Sequence, residues 1–217
     1  MAFVVAIDGP AGSGKGTIAK LVAEKCNLLY IDSGATYRCI ALLILENNID
    51  IKDEEKIVEL AQNAEIKFDK GKTYLNGIDV SNKIRSKEVS SIVSFVSSNI
   101  LLRKILVDLQ RKMALDNDVI MEGRDITTVV FKEAKYKFYL DANIYERAER
   151  RYKQNQENNI DMSLDEIIDN IKIRDYNDMN KSVGALTRTN EQIYIDSTNM
   201  TIEEVVEYIV NIIRSDK

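Results

Sequence analysis

A nine-residue stretch near the start, Gly9-Pro10-Ala11-Gly12-Ser13-Gly14-Lys15-Gly16-Thr17, constrains this chain more than any other. It follows the apolar run Phe3-Val4-Val5-Ala6-Ile7 and precedes Ile18, Leu21 and Val22, spaced as one face of a helix. The order is strand, glycine-rich loop, helix. Such a loop wraps backbone N–H groups around a phosphate, rests it on the positive end of a helix and adds a lysine ammonium for the outer phosphates. The pattern G-x-x-x-x-G-K-[ST] is matched through Lys15; Gly16 then stands where a magnesium-ligating hydroxyl is expected, and Thr17 comes one place later. Three glycines, a lysine and the strand-helix setting agree, so Gly9, Gly12, Ser13, Gly14, Lys15, Gly16 and Thr17 are read as a phosphate-binding set. The metal ligands stay undefined: Thr17 is one candidate, water and the phosphates are the others.

The 217 residues suffice for one domain with small inserted parts, and 45% hydrophobic with 30% charged residues is ordinary for a soluble globular chain. The formal net charge of -5 means that any basic site must be local. Histidine is absent, which excludes histidine acid–base chemistry, Ser-His-Asp triads and histidine-ligated metals. Chemistry falls to carboxylates, lysine, arginine and a metal. Cys26 and Cys39 lie in apolar, helix-like contexts without metal-ligand spacing and are expected as two reduced, buried thiols. The N-terminal apolar run is short and passes directly into the loop, so no signal peptide or membrane span is expected, and the chain is expected to be cytoplasmic.

Strand-like runs at 3–7, 28–31, 119–121, 136–140 and 192–195 predict a five-stranded parallel sheet. Helical patterns lie between them, with one from Tyr37 to about Leu45 and another over 53–64 that Asp53 caps. From Ile66 to Val80 the period changes to short strands broken by Lys70-Gly71 and Asn76-Gly77, which predicts a small antiparallel meander inserted into an α/β core. Residues 87–99 place Val89, Ile92, Val93 and Val96 on one helical face and Ser91, Ser94 and Ser98 on another, a face that is either solvated or a wall beside a polar ligand. The next helix runs from Leu101 to Met113, with Arg103 and Arg111 off its apolar stripe.

Several strands end in charge. Asp8, Asp32, Arg124 with Asp125, and Asp141 all stand at carboxyl ends, where open parallel sheets bind ligands, and so point to one crevice. A helix from Asn143 carries Arg147, Arg150 and Arg151 and leads into Tyr152–Asp161, which is poor in apolar residues and reads as an exposed, mobile connection. Ser163-Leu164-Asp165-Glu166 is a capping box opening a helix on which Arg174, Asp178 and Lys181 share a face. Two arginine-bearing helices joined by a flexible turn suit a lid. Thr201-Ile202-Glu203-Glu204 opens the last helix in the same way.

Four segments together are more specific than the loop alone: Ile7–Thr17; Leu29-Tyr30-Ile31-Asp32-Ser33-Gly34-Ala35-Thr36-Tyr37-Arg38; Gly123-Arg124-Asp125-Ile126-Thr127-Thr128-Val129-Val130-Phe131; and Arg174-Asp175 with Asp178. Through them the chain resembles the bacterial cytidylate kinases, nucleoside monophosphate kinases of the P-loop class, over nearly its whole length. The resemblance implies transfer of the γ-phosphoryl group of ATP to CMP or dCMP with Mg2+, in a monomer that needs neither nucleic acid nor membrane. It implies a three-layer α/β P-loop fold in which 1–64 and 115–217 form the core, 65–114 an acceptor-binding insertion and 148–182 a lid. By position, Ser33, Arg38 and Arg124 are implied to hold the acceptor phosphate, Ser94, Arg103 and Asp125 to read the cytosine, and Asp178 the sugar hydroxyls, with Tyr37 and Lys181 beside them. Lys15, Arg124, Arg150, Arg151 and Arg174 are implied as the catalytic cations. One departure is plain: the family commonly has arginine where Lys181 stands and a proline-leucine pair where Ala185-Leu186 stands, and a lysine cannot make the planar bidentate contact of a guanidinium. Arg188 is a candidate to compensate.

Other readings differ in class. A kinase of another small acceptor, such as UMP or shikimate, keeps the loop and changes the pocket. A nucleotide switch is disfavoured because Asn180-Lys181-Ser182-Val183 lacks the aspartate of a guanine-reading N-K-x-D, and nucleic-acid binding lacks a clustered basic stripe with stacking aromatics.

Overall fold

Four of the five residues of Val4–Asp8 are buried, as a strand covered on both faces requires, and they form β1. The computed structural model describes residues 3–157 and 160–215. After β1 come α1 (Lys15–Cys26), β2 (Leu29–Asp32), α2 (Ser33–Glu46), α3 (Glu54–Asn63), β3 (Ile66–Asp69), β4 (Lys72–Leu75), β5 (Ile78–Asp79), α4 (Lys87–Val96) and α5 (Ile100–Met113). They are followed by β6 (Val119–Gly123), a π-helical turn Ile126–Val130, β7 (Tyr136–Asp141), α6 (Ile144–Glu157), α7 (Leu164–Met179), β8 (Ile193–Asp196) and α8 (Ile202–Ser215). The five-stranded parallel sheet is present, in the order β2-β6-β1-β7-β8, with Val5 opposite Tyr136 and Phe138 opposite Ile193. Among the described residues no helix is long and apolar enough to cross a membrane.

The chain forms two compact units, Met1–Phe3 with Leu29–Val119, and Val4–Leu28 with Ile120–Lys217. In the first, α2 begins at Ser33 rather than Tyr37, because the Asp32 carboxylate caps it by accepting the Ala35 N–H at 3.0 Å. Ser33 and Tyr37 are thereby one turn apart on a rigid element. Ile40 and Ile44 of α2, Val89 and Val96 of α4, and Leu102 and Leu106 of α5 share one apolar cluster. Each such side chain removed from water contributes roughly 1.5–3 kcal/mol.

Arg103 departs from the expected pattern. It is only 5% exposed, while Leu101 is 55% exposed, so the buried face of α5 includes polar groups. Those groups find partners inside: the Arg103 guanidinium lies 5.6 Å from the Tyr37 ring centroid although its Nε makes no hydrogen bond among the described residues, and Gln110 Nε2 donates to Thr36 Oγ1 at 2.9 Å. Of the serine face, Ser91 donates to the Glu88 carbonyl and Ser98 to the Ser94 carbonyl of their own helix, and Ser91, Ser94 and Ser98 are exposed. β3, β4 and β5 make the expected antiparallel meander. Lys70, Gly71, Asn76 and Gly77 all have positive φ, the condition for hairpin turns whose twist matches the strands.

In the second unit Asp8 does not face a crevice. It is fully buried, and its carboxylate accepts N–H groups of Ile126 at 2.8 Å and Thr127 at 2.9 Å plus the Thr127 hydroxyl at 2.6 Å. It therefore fixes the start of the π-helical turn. Burial holds its pKa above the usual carboxylate value, against the pull of those three donors. α6 runs through Glu157, so Tyr152–Glu157 is helix rather than a mobile connection; Asn158 and Asn159 lie outside the described residues. Both capping boxes form, at Ser163 with Glu166 and at Thr201 with Glu204. Neither cysteine is in a disulfide; Cys39 is buried, with its thiol pushed up to about 12 by burial and then by Asp32, whereas Cys26 is only half-buried.

Gly77 gives a clean test of turn geometry, because a Cβ there would meet nothing within 4 Å and only its φ of +80° resists substitution. Gly77→Val is expected to lower the unfolding free energy in a urea titration by about 1–2 kcal/mol, and Gly77→Asn by distinctly less.

Candidate active site

The loop between β1 and α1 is shaped by close backbone approach. A Cβ on Gly9 would stand 2.1 Å from the Leu140 carbonyl oxygen, and one on Gly12 (φ +76°) 3.1 Å from the Arg147 carbonyl oxygen. Gly14 (φ +87°) is the N-cap of α1, so the first N–H groups of that helix open toward the loop with no side-chain cap. The Ser13 Oγ is buried and has no hydrogen-bond partner among the described residues. An orphaned hydroxyl beside uncapped amides is a cradle for an anion.

Lys15 is buried and folds back so that Nζ donates to the Pro10 carbonyl at 3.1 Å. Its pKa is lowered to about 7, first by burial, then by repulsion from Arg124 and Arg174, with Glu122 and Asp178 working the other way. On the same unit Arg124 Nε donates to Asp178 Oδ2 at 2.7 Å, and Lys181 Nζ lies 3.0 Å from Asp178 Oδ1. Both oxygens of Asp178 thus face cations, and their pull, outweighing burial, keeps this carboxyl below the ordinary aspartate range. Lys15, Arg124, Arg174, Asp178 and Lys181 form one electrostatic group. Asp125 is buried where β6 passes into the π-helical turn, a form often found at functional sites.

The three arginines of α6 have three different settings. Arg150 Nη1 donates to the Ser13 carbonyl at 3.2 Å and Nη2 to the Ser197 carbonyl at 2.8 Å, which ties it to the loop. Arg151 is exposed and donates to Gln154 on its own helix. Arg147, which the sequence reading grouped with them without assigning it a role, is buried against Asp175 and the loop. Asp175 was likewise visible only as the neighbour of Arg174; the signal was its acidic side chain four residues after Ile171, on the face of α7 that packs inward. Gln192, which donates to Thr127 Oγ1 at 2.5 Å, gave no signal at all. Arg188 does not join Lys181: it lies 4.2 Å over the Tyr194 ring.

The other candidates belong to the first unit. Ser33 is buried at the start of α2, Tyr37 is buried one turn on under the Arg103 guanidinium, and Arg38 Nη1 donates to the Ile84 carbonyl at 3.2 Å and to Ser90 Oγ at 2.9 Å. Ser94 is exposed on α4. Arg103 Nη1 also reaches the Ser97 carbonyl at 3.5 Å. A cavity of about 350 Å3 in this unit is lined by Ile66, Phe68, Tyr74 and Met113 among others and includes none of these side chains.

The family model for cytidylate kinase matches residues 5–215. A cytidylate kinase of Fusobacterium nucleatum subsp. nucleatum is 47% identical over 207 residues, covering 95% of each chain. One from Alkaliphilus oremlandii is 47% identical over 215 residues, covering 99% of each. Among solved structures, a shikimate kinase from Bacteroides thetaiotaomicron aligns over 98% of both chains with a TM-score of 0.50 at 13% identity, a likeness of fold alone. A full-length family match and near-half identity over almost the whole chain agree with the loop and the charged groups around it, and the chain belongs to the cytidylate kinase family.

Proposed function

We infer that this protein transfers the γ-phosphoryl group of ATP to CMP or dCMP, giving ADP and CDP or dCDP. The observation that carries the donor half is the uncapped loop with its orphaned Ser13 hydroxyl and buried Lys15. Family membership carries the acceptor half. An oxygen of the acceptor phosphate attacks the γ-phosphorus as the bond to the bridging oxygen of ADP breaks. The attacking phosphate is already anionic at neutral pH, so no general base is assigned. In a loose transition state the work is alignment and neutralisation of the equatorial oxygens, and an arginine set there is typically worth about 10³–10⁵ in rate.

Within that reading, Gly9, Gly12, Ser13, Gly14, Lys15, Gly16 and Thr17 hold the donor phosphates. Ser33, Arg38 and Arg124 hold the acceptor phosphate, Ser94, Arg103 and Asp125 read the base with Tyr37 under Arg103, and Asp178 with Lys181 takes the sugar. Arg174, which acts electrostatically on Lys15, and Arg124 serve as catalytic cations together with Arg150; Arg151 requires rotation of its exposed side chain to join them. Residues 65–114 act as the acceptor-binding insertion, 148–182 as a lid, and 1–64 with 115–217 as the core. The Thr17 hydroxyl, which is exposed, is the side chain here that would help hold Mg2+ alongside water and the nucleotide's phosphates, and the metal would supply neutralisation of phosphate charge. The enzyme acts as a cytoplasmic monomer on free nucleotides; the acidic net charge of -5 supports small-molecule acceptors over nucleic acid.

Initial rates with CMP, dCMP, UMP and AMP at fixed ATP and Mg2+ test the reading, with cytidine nucleotides expected to be the fastest acceptors. Lys15→Ala and Arg124→Ala are each expected to lower turnover by about 10²-fold or more while leaving the melting profile folded. Wild-type rates in either variant would remove its assigned role.

The depressed pKa of Lys15 predicts a proton signature. At pH 8, above its value of about 7, the amine of the unliganded protein is mostly neutral, and donor phosphates favour its charged form. ATP binding at pH 8 is therefore expected to take up close to one proton, read by calorimetry in buffers of different ionisation enthalpy. Lys15→Met abolishes that uptake.

A further inference from the structure

The residues flanking the loop apex are held by a device that the proposed reaction does not use. Ala11 N–H donates to Asp175 Oδ1 at 2.9 Å, and the Ala11 carbonyl accepts from Arg147 Nη1 at 2.8 Å. The same Nη1 donates to Asp175 Oδ2 at 2.5 Å, and Arg147 Nε donates to the Ala142 carbonyl, just beyond β7, at 2.9 Å. Arg147 and Asp175 are 7% and 8% exposed, so this is a buried ion pair closed on backbone groups at both ends.

We propose that Arg147 and Asp175 are positioning residues for the donor loop: together they fix the peptide groups on either side of Ala11 and so hold the loop in its phosphate-receiving form. An ionised carboxylate can only accept and a guanidinium can only donate. The pair therefore reads the direction of both groups, and a flip of either peptide would set carbonyl against carboxylate or N–H against guanidinium. That restraint is needed because Gly12, the next residue, has φ of +76° and no side chain to limit it. Stability alone does not account for the pair, since buried ion pairs are commonly replaced by apolar side chains of similar volume without loss. Arg147 lies on α6 and Asp175 on α7, so the loop's conformation is set by two helices remote in sequence.

The proposal rests on the reading of the loop as an ATP site, and the test separates the two. Affinity for ATP is measured by calorimetry without acceptor, and donor and acceptor KM are measured separately, in the wild-type chain, Asp175→Asn and the double variant Arg147→Met with Asp175→Leu. The double variant keeps an apolar, packed interior and is expected to stay folded with a lowered melting temperature, because the Ala11 and Ala142 backbone groups lose partners, while its ATP dissociation constant and donor KM rise about 10- to 100-fold. Acceptor KM is expected to stay within about twofold, since no acceptor group is touched. Asp175→Asn, which keeps an acceptor for the Ala11 N–H but loses the charge, is expected to fall between. Wild-type ATP affinity in a folded double variant would overturn the proposal, as would equal rises in donor and acceptor KM. ATP affinity that is normal in the wild-type chain with no turnover on CMP would count against the acceptor reading alone, and the loop comparison would still decide the proposal.

Discussion

The approach of Gly9 to β7 is the constraint on which the second unit depends. With its Cβ position 2.1 Å from the Leu140 carbonyl oxygen, the chain leaves β1 too close to its neighbour for any side chain. The loop then turns back over the sheet end, brings Gly12 against the Arg147 backbone, and starts α1 at Gly14 with its amides uncovered. A loop that presents main-chain N–H groups has no side chain to adjust them, so their placement comes from what is packed behind it. Here that backing is β7, the two peptide-reading charges from α6 and α7, and the Arg150 contacts to Ser13 and Ser197.

Without histidine, the charged groups divide their tasks by burial. Among the described residues Asp8 has no cation hydrogen-bonded to it and accepts from three donors of Ile126 and Thr127, and it serves structure by fixing the turn that follows Asp125. Asp178 has two cations and stays ionised. Lys15, buried among Arg124 and Arg174, is held with its charge disfavoured until an anion arrives, which is the electrostatic condition for a site that prefers a polyphosphate to water. The sign of each shift follows from which partners share the burial.

Much of this was legible in the sequence because it depends on local rules. The loop, the five strands, the hairpin turn at Asn76-Gly77 and both capping boxes are set by residues within a few positions of one another. What was missed depends on contacts distant along the chain. Arg103 stands off the apolar stripe of its helix in the sequence, and its burial needs the Tyr37 ring on another helix; Arg147 reads like its neighbours because Asp175 lies on α7. The segment after Tyr152 looked mobile for want of apolar residues, yet helix continues through Glu157 and Asn155 is buried there. The π-helical turn had no local marker, since Asp8, far earlier in the chain, supplies its anchor.

The double pairing of Asp178 has an electrostatic consequence. With one oxygen facing Arg124 and the other Lys181, a single carboxylate is shared by two cations, and this cluster keeps one positive charge in excess. An anion approaching either cation must loosen its contact with Asp178, which offsets part of the Coulombic gain and leaves the excess charge to attract it. The two cations differ in how they can yield: the Lys181 ammonium can swivel about its contact, whereas the planar Arg124 guanidinium is held in one direction.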